Sequence, residues 1–211
     1  MTAIVFDLDG TLLNTLGDLT DATNAALTHF GYPARSEEEV RRFVGNGAKN
    51  QITLSLPGGE PPEVIDEVLA WYKAYYADHS QIKTCPYEGI LEALEEIKRE
   101  FPVAIVSNKP DVAVKILCAQ YFGDAFSLGE RDGCPRKPAP DMVYAALKAI
   151  GTEKCIYVGD SEVDVLTAKN AGVPCLTVLW GFRDRQTLVE AGAEHFCESP
   201  ADLLKILKEM M

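Results

Sequence analysis

The stretch AIVFDLDGTLLNT, residues 3–15, joins a short apolar run to two carboxylates and a glycine turn. Its first four residues are apolar without alternation, which is typical of a strand buried on both faces of a parallel sheet. Asp7 and Asp9 follow with one residue between them, so in extended backbone both side chains point to the same side. Two negative charges at such a short distance repel each other unless a cation lies between them or one carboxylate holds a proton. The stretch therefore predicts a buried strand with a charged site at its end.

Similar apolar runs recur along the chain, namely VAIV at 103–106, CIYV at 155–158 and CLTVL at 175–179. Helical patterns lie between them; before the second run, for example, Leu91, Leu94 and Ile97 share one helix face. Strands that alternate with helices predict an α/β protein with a doubly wound, Rossmann-like parallel sheet as its core.

Residues 16–82 interrupt this alternation. Apolar residues recur there at helical spacing, Ser36 and Glu39 form a capping-box signature, and no strand pattern occurs. We therefore expect an all-helical cap domain over residues 16–82, inserted into an α/β catalytic core made of residues 1–15 and 83–211.

Composition limits the possible partners. The 211 residues carry 32 acids against 20 bases, a formal net charge of −12, which argues against nucleic acid or an anionic membrane as a partner. No apolar run approaches the roughly 20 residues of a membrane span, and the N-terminus lacks the basic region of a signal peptide. The six cysteines are scattered without a C-x-x-C pair, which favours reduced thiols and a cytoplasmic location. Monomer and homodimer both remain open.

Polar residues follow three further predicted strands or open the next helix. They lie in VSNK at 106–109, in RKPAPD at 136–141 and in VGDSEVD at 158–164. Each has an ordinary explanation when taken alone: a helix N-cap, a surface lysine, and acids at a helix start. Parallel sheets, however, bind ligands at the carboxyl ends of their strands, where all of these residues meet.

The combination at that edge suits phosphoryl chemistry. Carboxylates such as Asp160 and Asp164 bind Mg²⁺ through oxygen, while Ser107, Lys137 and backbone N–H groups at a helix start bind phosphate. The sequence therefore predicts a magnesium-dependent site for a small phosphorylated substrate.

The order of these motifs is similar to that of the haloacid dehalogenase superfamily: D-x-D-G-T, a serine or threonine after the second strand, a lysine before a helix, and G-D-x-x-x-D. The resemblance spans essentially the whole chain and implies a role for each matching residue. Asp7 would be the nucleophile that forms an aspartyl-phosphate, and Asp9 the general acid and then the base. The implied Mg²⁺ ligands are Asp7, the Asp9 carbonyl and Asp160, with Asp164 beside the metal or in its second shell. The implied phosphate-binding residues are Ser107 and Lys137 with the backbone of Gly10, Thr11 and Asn108.

The carboxylate of Asp9 indicates which branch of the superfamily the chain resembles. Dehalogenases of the superfamily resemble D-x-Y-G-T and phosphonate hydrolases D-x-A-G-T, whereas an alkoxide leaving group needs a proton donor such as Asp9. Five segments together look most like phosphoglycolate phosphatases: FVGNGAKN at 43–50, PYEGILEALEEIK at 86–98, VSNKP at 106–110, KPAPDM at 137–142 and AGVPCLTVLWGF at 171–182. This resemblance implies 2-phosphoglycolate as the leading substrate. It also implies that the glycine loop of the cap faces the active site and helps to read the substrate; its residues are Gly45, Asn46, Gly47 and Lys49.

Other readings share the core motifs. Pyrophosphatases, nucleotidases and β-phosphoglucomutase-like enzymes have the same acids and lysine, and the glycine loop is also explained as a turn that only joins two helices. A regulatory binding protein that kept the fold is a further alternative. The intact set of Asp7, Asp9, Lys137 and Asp160 argues against that last one, because lost activity usually shows as lost catalytic residues.

Overall fold

The computed structural model describes all 211 residues. Its strands are β1 Thr2–Phe6, β2 Leu13–Asn14, β3 Cys85–Pro86, β4 Val103–Pro110, β5 Phe126–Glu130, β6 Lys154–Gly159, β7 Cys175–Val178 and β8 His195–Cys197. Its helices are α1 Leu16–His29, α2 Glu37–Phe43, α3 Gly47–Ser55, α4 Pro62–His79, α5 Ile90–Glu100, α6 Asp111–Tyr121, α7 Asp141–Ala149, α8 Glu162–Ala171, α9 Arg185–Glu190 and α10 Leu203–Glu209, with a 3₁₀ turn at Pro200–Asp202. No helix combines the length and the apolar content that a membrane crossing requires.

Six strands form one parallel sheet in the order β5-β4-β1-β6-β7-β8. Strand β1 lies at the centre, where Ile4 is in register with Val103 of β4 on one side and Ile156 of β6 on the other. Because the chain moves from β1 outward to β5 and then returns to β6, a topological switch point lies between β1 and β6. The predicted doubly wound α/β fold is confirmed.

Strand β1 is apolar on both faces because both faces of the sheet are covered. Ile4 and Phe6 belong to a buried cluster with residues of α5, α6 and α10. The alternate residues Ala3 and Val5 belong to a second cluster with residues of α7 and α8. Successive side chains of a strand point to opposite faces, so a strand between two helical layers has no polar side.

The outer strands β5 and β8 are two elements that the apolar runs did not predict. β8 has only three residues, and β5 contains a serine and a glycine, which both lower strand propensity. Gly129 is required there by close packing, since a Cβ would lie 2.6 Å from the Lys109 carbonyl oxygen and 2.5 Å from the Asp111 Cα. The fold therefore uses a weak strand former to let β5 approach the start of α6.

The chain divides into two compact units. One consists of Met1–Leu13 with Pro86–Met211 and contains the six-stranded sheet, and the other is Asn14–Cys85 and contains α1 to α4. Within the helical unit the predicted capping box is present, because the Ser36 hydroxyl accepts from the Glu39 N–H and the Glu39 carboxylate accepts from the Ser36 N–H. Gly45 and Gly47 both have positive φ, at 116° and 81°, so glycine makes the turn between α2 and α3 possible.

A buried carboxylate ties the end of the helical unit to its start. Asp18 in the first turn of α1 is 1% exposed, and its oxygens accept backbone N–H bonds from Ile82 at 3.1 Å, Lys83 at 2.8 Å and Thr84 at 2.9 Å. Hydrogen bonds to a charged acceptor are among the stronger ones in proteins. Asp18 therefore stabilises the segment that leaves this unit.

Replacing Asp18 by Ala should lower the free energy of unfolding by about 2–4 kcal/mol, because it leaves three backbone donors without their acceptor. Chemical denaturation followed by circular dichroism measures this change. Asp21→Ala is the matched control, since Asp21 lies on the same helix but pairs with Lys83 where both side chains are about half exposed. Equal effects of the two substitutions would contradict the role of Asp18.

Candidate active site

Three buried carboxylates meet at the carboxyl ends of the two central strands. Asp7 follows β1, Asp160 follows β6, and Asp164 lies in the first turn of α8. One carboxylate oxygen from each lies within 4.8 Å of the other two, and all three residues are at most 6% exposed. We call these residues the acid cluster; the structure thus brings together three acids that are far apart in sequence.

Lys137 lies against this acid cluster. Its ammonium nitrogen is 2.7 Å from Asp7 Oδ1, 2.8 Å from Asp164 Oδ1 and 3.0 Å from the Tyr157 hydroxyl, and its side chain is 2% exposed. Burial alone would lower the pKa of Lys137, but the charges of Asp164 and Asp7 outweigh it and raise that pKa. The lysine is therefore a cation whose three N–H groups all have acceptors.

The acids of the cluster differ in their electrostatic state. Burial and the charge of Asp164 raise the pKa of Asp7 well above its usual range, despite the opposing charge of Lys137. Burial and Asp164 also raise the pKa of Asp160 to about 7. Burial would raise the pKa of Asp164 too, yet Lys137 and hydrogen bonds outweigh it and lower that pKa. One lysine is thus insufficient for three carboxylates, and their hard oxygen donors fit a divalent cation such as Mg²⁺.

Asp164 is fixed by the local backbone. Its Oδ2 accepts the N–H groups of Asp160 at 3.2 Å and Ser161 at 3.1 Å and the Ser161 hydroxyl at 2.6 Å. Gly159 is necessary for this approach, because a Cβ there would lie 2.3 Å from the Asp164 Cβ. The spacing G-D-S-x-x-D therefore allows Asp164 to cap the start of α8 and also to belong to the acid cluster.

Asp160 is held by two loops. Its Oδ1 accepts from the Thr11 hydroxyl at 3.2 Å, and its Oδ2 accepts from the Phe182 N–H at 2.7 Å. A Cβ on Gly181 would lie 2.3 Å from the Asp160 Cβ, so the loop after β7 packs directly on this acid. Gly181 and Phe182 were not predicted site residues, although a glycine just past a predicted strand end was a usable signal.

Asn108 holds the loop that carries Lys137. Its side-chain amide donates to the Lys137 carbonyl at 2.9 Å, and its side-chain oxygen accepts the Lys137 N–H at 2.8 Å. The neighbouring Ser107 is 2% exposed, and its hydroxyl accepts the Lys109 N–H at 3.2 Å. Ser107 and Asn108 lie in the second half of β4, which continues to Pro110, and the Asn108 side chain has a structural contact that the sequence did not reveal.

Asp9 has a cationic partner of its own. The Lys109 ammonium lies 2.8 Å from Asp9 Oδ1 and 3.0 Å from Oδ2, and the two side chains are 2% and 14% exposed respectively. Lys109 was not a predicted site residue. Because the two residues are 100 positions apart, only the fold of the sheet reveals the pair.

The four predicted substrate-reading residues, Gly45, Asn46, Gly47 and Lys49, all lie in the helical unit. Gly45 and Asn46 lie in the turn before α3, and Gly47 begins that helix. The Asn46 side chain makes no capping hydrogen bond. The Lys49 ammonium lies 2.6 Å from a carboxylate oxygen of Asp66, with both side chains more than half exposed.

Residues 4–178 match the family of haloacid dehalogenase-like hydrolases. The chain belongs to this family. It is 33% identical to phosphoglycolate phosphatase 1 of Pseudomonas aeruginosa, over 95% of this chain and 78% of that protein. It is 34% identical to a phosphoglycolate phosphatase of Mannheimia succiniciproducens, over 97% of both chains. A crystal structure of a candidate phosphoglycolate phosphatase from Lactobacillus delbrueckii subsp. bulgaricus superposes with a TM-score of 0.93, at 35% identity and over 98% of both chains. The predicted membership of the haloacid dehalogenase-like hydrolases is confirmed.

Asp160 is an expected metal ligand, and on that expectation replacing Gly181 by Ala should lower the turnover of this hydrolase by about 100-fold, since a displacement of order 1 Å in an active site has effects of that size. The added Cβ would lie 2.4 Å from Asp160 Oδ2 and 2.5 Å from the Gly10 carbonyl oxygen, so Asp160 has to move. Steady-state kinetics measures the loss.

Gly123→Ala is the control for the general cost of replacing glycine, because Gly123 has a φ of 65° with no atom within 4 Å of an added Cβ. This variant should lose stability through backbone strain but keep its turnover. Wild-type turnover in Gly181→Ala would contradict the proposed support of Asp160.

Proposed function

We propose that the chain is a Mg²⁺-dependent phosphatase of small phosphomonoesters, with 2-phosphoglycolate as its leading substrate. The observation that carries this proposal is the buried acid cluster with Lys137 against it, at the carboxyl edge of the sheet. Family membership and the phosphatase names of the relatives support the broader class, a phosphoric monoester hydrolase. The choice of substrate rests on the names of those relatives and on the motif resemblance.

The metal site of this proposal uses only oxygen donors. The carboxylates of Asp7 and Asp160 and the main-chain carbonyl of Asp9 would hold Mg²⁺, with Asp164 adjacent. When bound, the cation supplies positive charge that stabilises the transferring phosphoryl group. Burial and the charge of Asp164 raise the pKa values of Asp7 and Asp160, and this supports the proposal of a cation at the cluster.

Phosphate binding requires one exchange at Lys137. All three of its N–H groups already have acceptors, so a phosphate oxygen binds the ammonium by replacing one of them. Ser107 and the backbone of Gly10, Thr11 and Asn108 complete the proposed phosphate site. A lysine charge about 4 Å from the phosphate contributes on the order of 4 kcal/mol at an effective dielectric constant near 20.

The proposed reaction has two displacement steps. A carboxylate oxygen of Asp7 attacks phosphorus, the bond from phosphorus to the alcohol oxygen breaks, and Asp9 gives its proton to that oxygen. Asp9 then removes a proton from water, whose oxygen attacks the aspartyl-phosphate and releases Asp7 and inorganic phosphate. The net reaction adds one water molecule and returns both aspartates to their starting states.

The resemblance to phosphoglycolate phosphatases assigns the selection of the substrate to the glycine loop and Lys49. The contact with Asp66 bears on this proposal, because a substrate carboxylate has to compete with Asp66 for the Lys49 ammonium. The six free cysteines support the further proposal of a cytoplasmic location. A monomer and a homodimer both agree with the proposed activity.

A phosphate-release panel tests the reaction and the substrate together. It compares 2-phosphoglycolate, nucleotides, sugar phosphates and pyrophosphate, and the highest kcat/KM is expected for 2-phosphoglycolate. Conversion of β-glucose 1-phosphate to the 6-phosphate with little free phosphate would indicate a mutase and would contradict the proposal. In the same assay Asp7→Asn should lower kcat by at least about 1,000-fold, because it removes the nucleophile. Asp141→Asn, an exposed acid at the start of α7, is the matched control.

Metal removal is the second test of the proposed function. EDTA should abolish phosphate release, and added Mg²⁺ should restore it. Mg²⁺ should also raise the melting temperature of the wild-type protein, since a ligand at 100-fold excess over its Kd stabilises the folded state by about 2.7 kcal/mol. Asp160→Asn should remove most of that shift. Undiminished phosphate release in EDTA would exclude the metal role.

A further inference from the structure

Lys109 is a buried cation without a role in the scheme above. Its side chain is 2% exposed, and its ammonium contacts both carboxylate oxygens of Asp9, at 2.8 and 3.0 Å. Burying a charged lysine is costly unless it is paired and hydrogen-bonded, and Asp9 supplies that pairing here. The contact here is made to the residue that is assigned both proton transfers.

The backbone around Lys109 keeps its side chain in one place. Its N–H donates to the Ser107 hydroxyl at 3.2 Å. Its carbonyl oxygen lies so close to Gly129 that an added Cβ would be only 2.6 Å away. The next residue, Pro110, closes β4 and is in register with Glu130 of β5. Lys109 therefore extends from a segment that is fixed on several sides.

The orientation of the Asp9 side chain depends on Lys109 more than the orientation of the acid cluster does. The turn fixes its backbone, because Gly10 N–H donates to the Leu13 carbonyl at 2.9 Å. The Asp9 side chain is 14% exposed, whereas Asp7 and Asp164 are held by Lys137. A carboxylate that is contacted through both oxygens cannot turn about its last bond without losing one contact. Lys109 thus fixes the direction of the Asp9 carboxylate.

We propose that Lys109 is the positioning residue for Asp9 and holds its carboxylate in the orientation that both proton transfers require. This inference rests on the proposed function. Catalytic groups have to be held within about 0.5 Å and 10–20° of the productive geometry, and the supporting residues supply that precision. Lys109 acts through Asp9 and has no separate contact with the phosphoryl group in this proposal.

The two proton transfers give the role a kinetic signature. 2,4-Dinitrophenolate leaves without a proton, so formation of the aspartyl-phosphate from 2,4-dinitrophenyl phosphate does not need Asp9. Hydrolysis of the aspartyl-phosphate still does, because water has to lose a proton. An alkyl ester such as 2-phosphoglycolate needs Asp9 in both steps.

The experiment is stopped-flow and rapid-quench kinetics of Lys109→Met in the Mg²⁺-loaded, full-length protein. With 2,4-dinitrophenyl phosphate we expect a burst of about one equivalent of dinitrophenolate per enzyme, with a rate constant within about threefold of the wild-type value. The following steady state should be at least about 30-fold slower than in the wild type, and 2-phosphoglycolate should be cleaved at least about 30-fold more slowly even in a single turnover. The Ki for inorganic phosphate should change by less than about threefold.

Four further variants serve as comparisons. Asp9→Asn should reproduce the burst followed by slow turnover, and adding Lys109→Met to it should cost less than about a further threefold, because two residues that act together are not additive. Lys109→Arg should recover part of the turnover. Lys98→Met is the matched control, since Lys98 is a partly buried lysine of the same unit whose ammonium donates to the Phe122 carbonyl.

Two results would overturn the inference in an active wild-type enzyme. A burst rate that falls in proportion to turnover means a general structural role, and a tenfold rise in the Ki for phosphate means that Lys109 binds the phosphoryl group. If Lys109→Met is unfolded by circular dichroism, the double variant with Asp9→Asn, which removes both charges, is compared with Asp9→Asn alone, and a large difference overturns the inference. A wild-type protein that releases no phosphate from any ester overturns the proposed function and this inference with it.

Discussion

The contact of Lys137 with Asp7, Asp164 and Tyr157 is the constraint on which the rest of the site depends. Each of these groups is buried, and a buried charge is stable only when it is paired and hydrogen-bonded. Asp7 follows β1, Tyr157 lies on β6 and Asp164 lies on α8. The register of the central strands and the position of α8 therefore have to be correct before these charges are satisfied, which couples the fold of the core to the geometry of its site.

The loop that carries Lys137 has no regular structure of its own, so other residues must place it. Asn108 does so with two hydrogen bonds to the Lys137 backbone, one donated and one accepted. Because Asn108 lies on β4, three strands of the sheet contribute to the position of one ammonium group. The residues around Asp160 follow the same principle, with Thr11 and Phe182 donating from two different loops. Such support holds functional groups to within fractions of an ångström.

The sequence predicted the sheet, its carboxyl edge and the residues that gather there, because strand patterns and the topology of parallel sheets are short-range or general properties. It did not predict the partners of those residues. Two such pairs are formed only by tertiary structure, namely Lys109 with Asp9 and Phe182 with Asp160. The spacing of these residues in the sequence does not predict either contact. The strands β5 and β8 were not predicted from the sequence for a related reason. Their short sequences have weak propensity, and neighbours in the sheet rather than local preference make them strands.

The charges at this edge explain why two lysines are present and why they are kept apart. Asp7 and Asp164 of the acid cluster contact Lys137, while Asp9 contacts Lys109. With the three acids of the cluster ionised, three negative charges against the one positive charge of Lys137 leave two, which is the charge of one Mg²⁺. The separation of the two lysines matters as much as the total charge. A lysine shared between Asp7 and Asp9 would bind the proposed nucleophile and the proposed proton-transfer group with the same N–H donors, and moving toward one would release the other. In the proposed mechanism, separate lysines would let Lys137 exchange an acceptor for phosphate while Asp9 keeps its orientation.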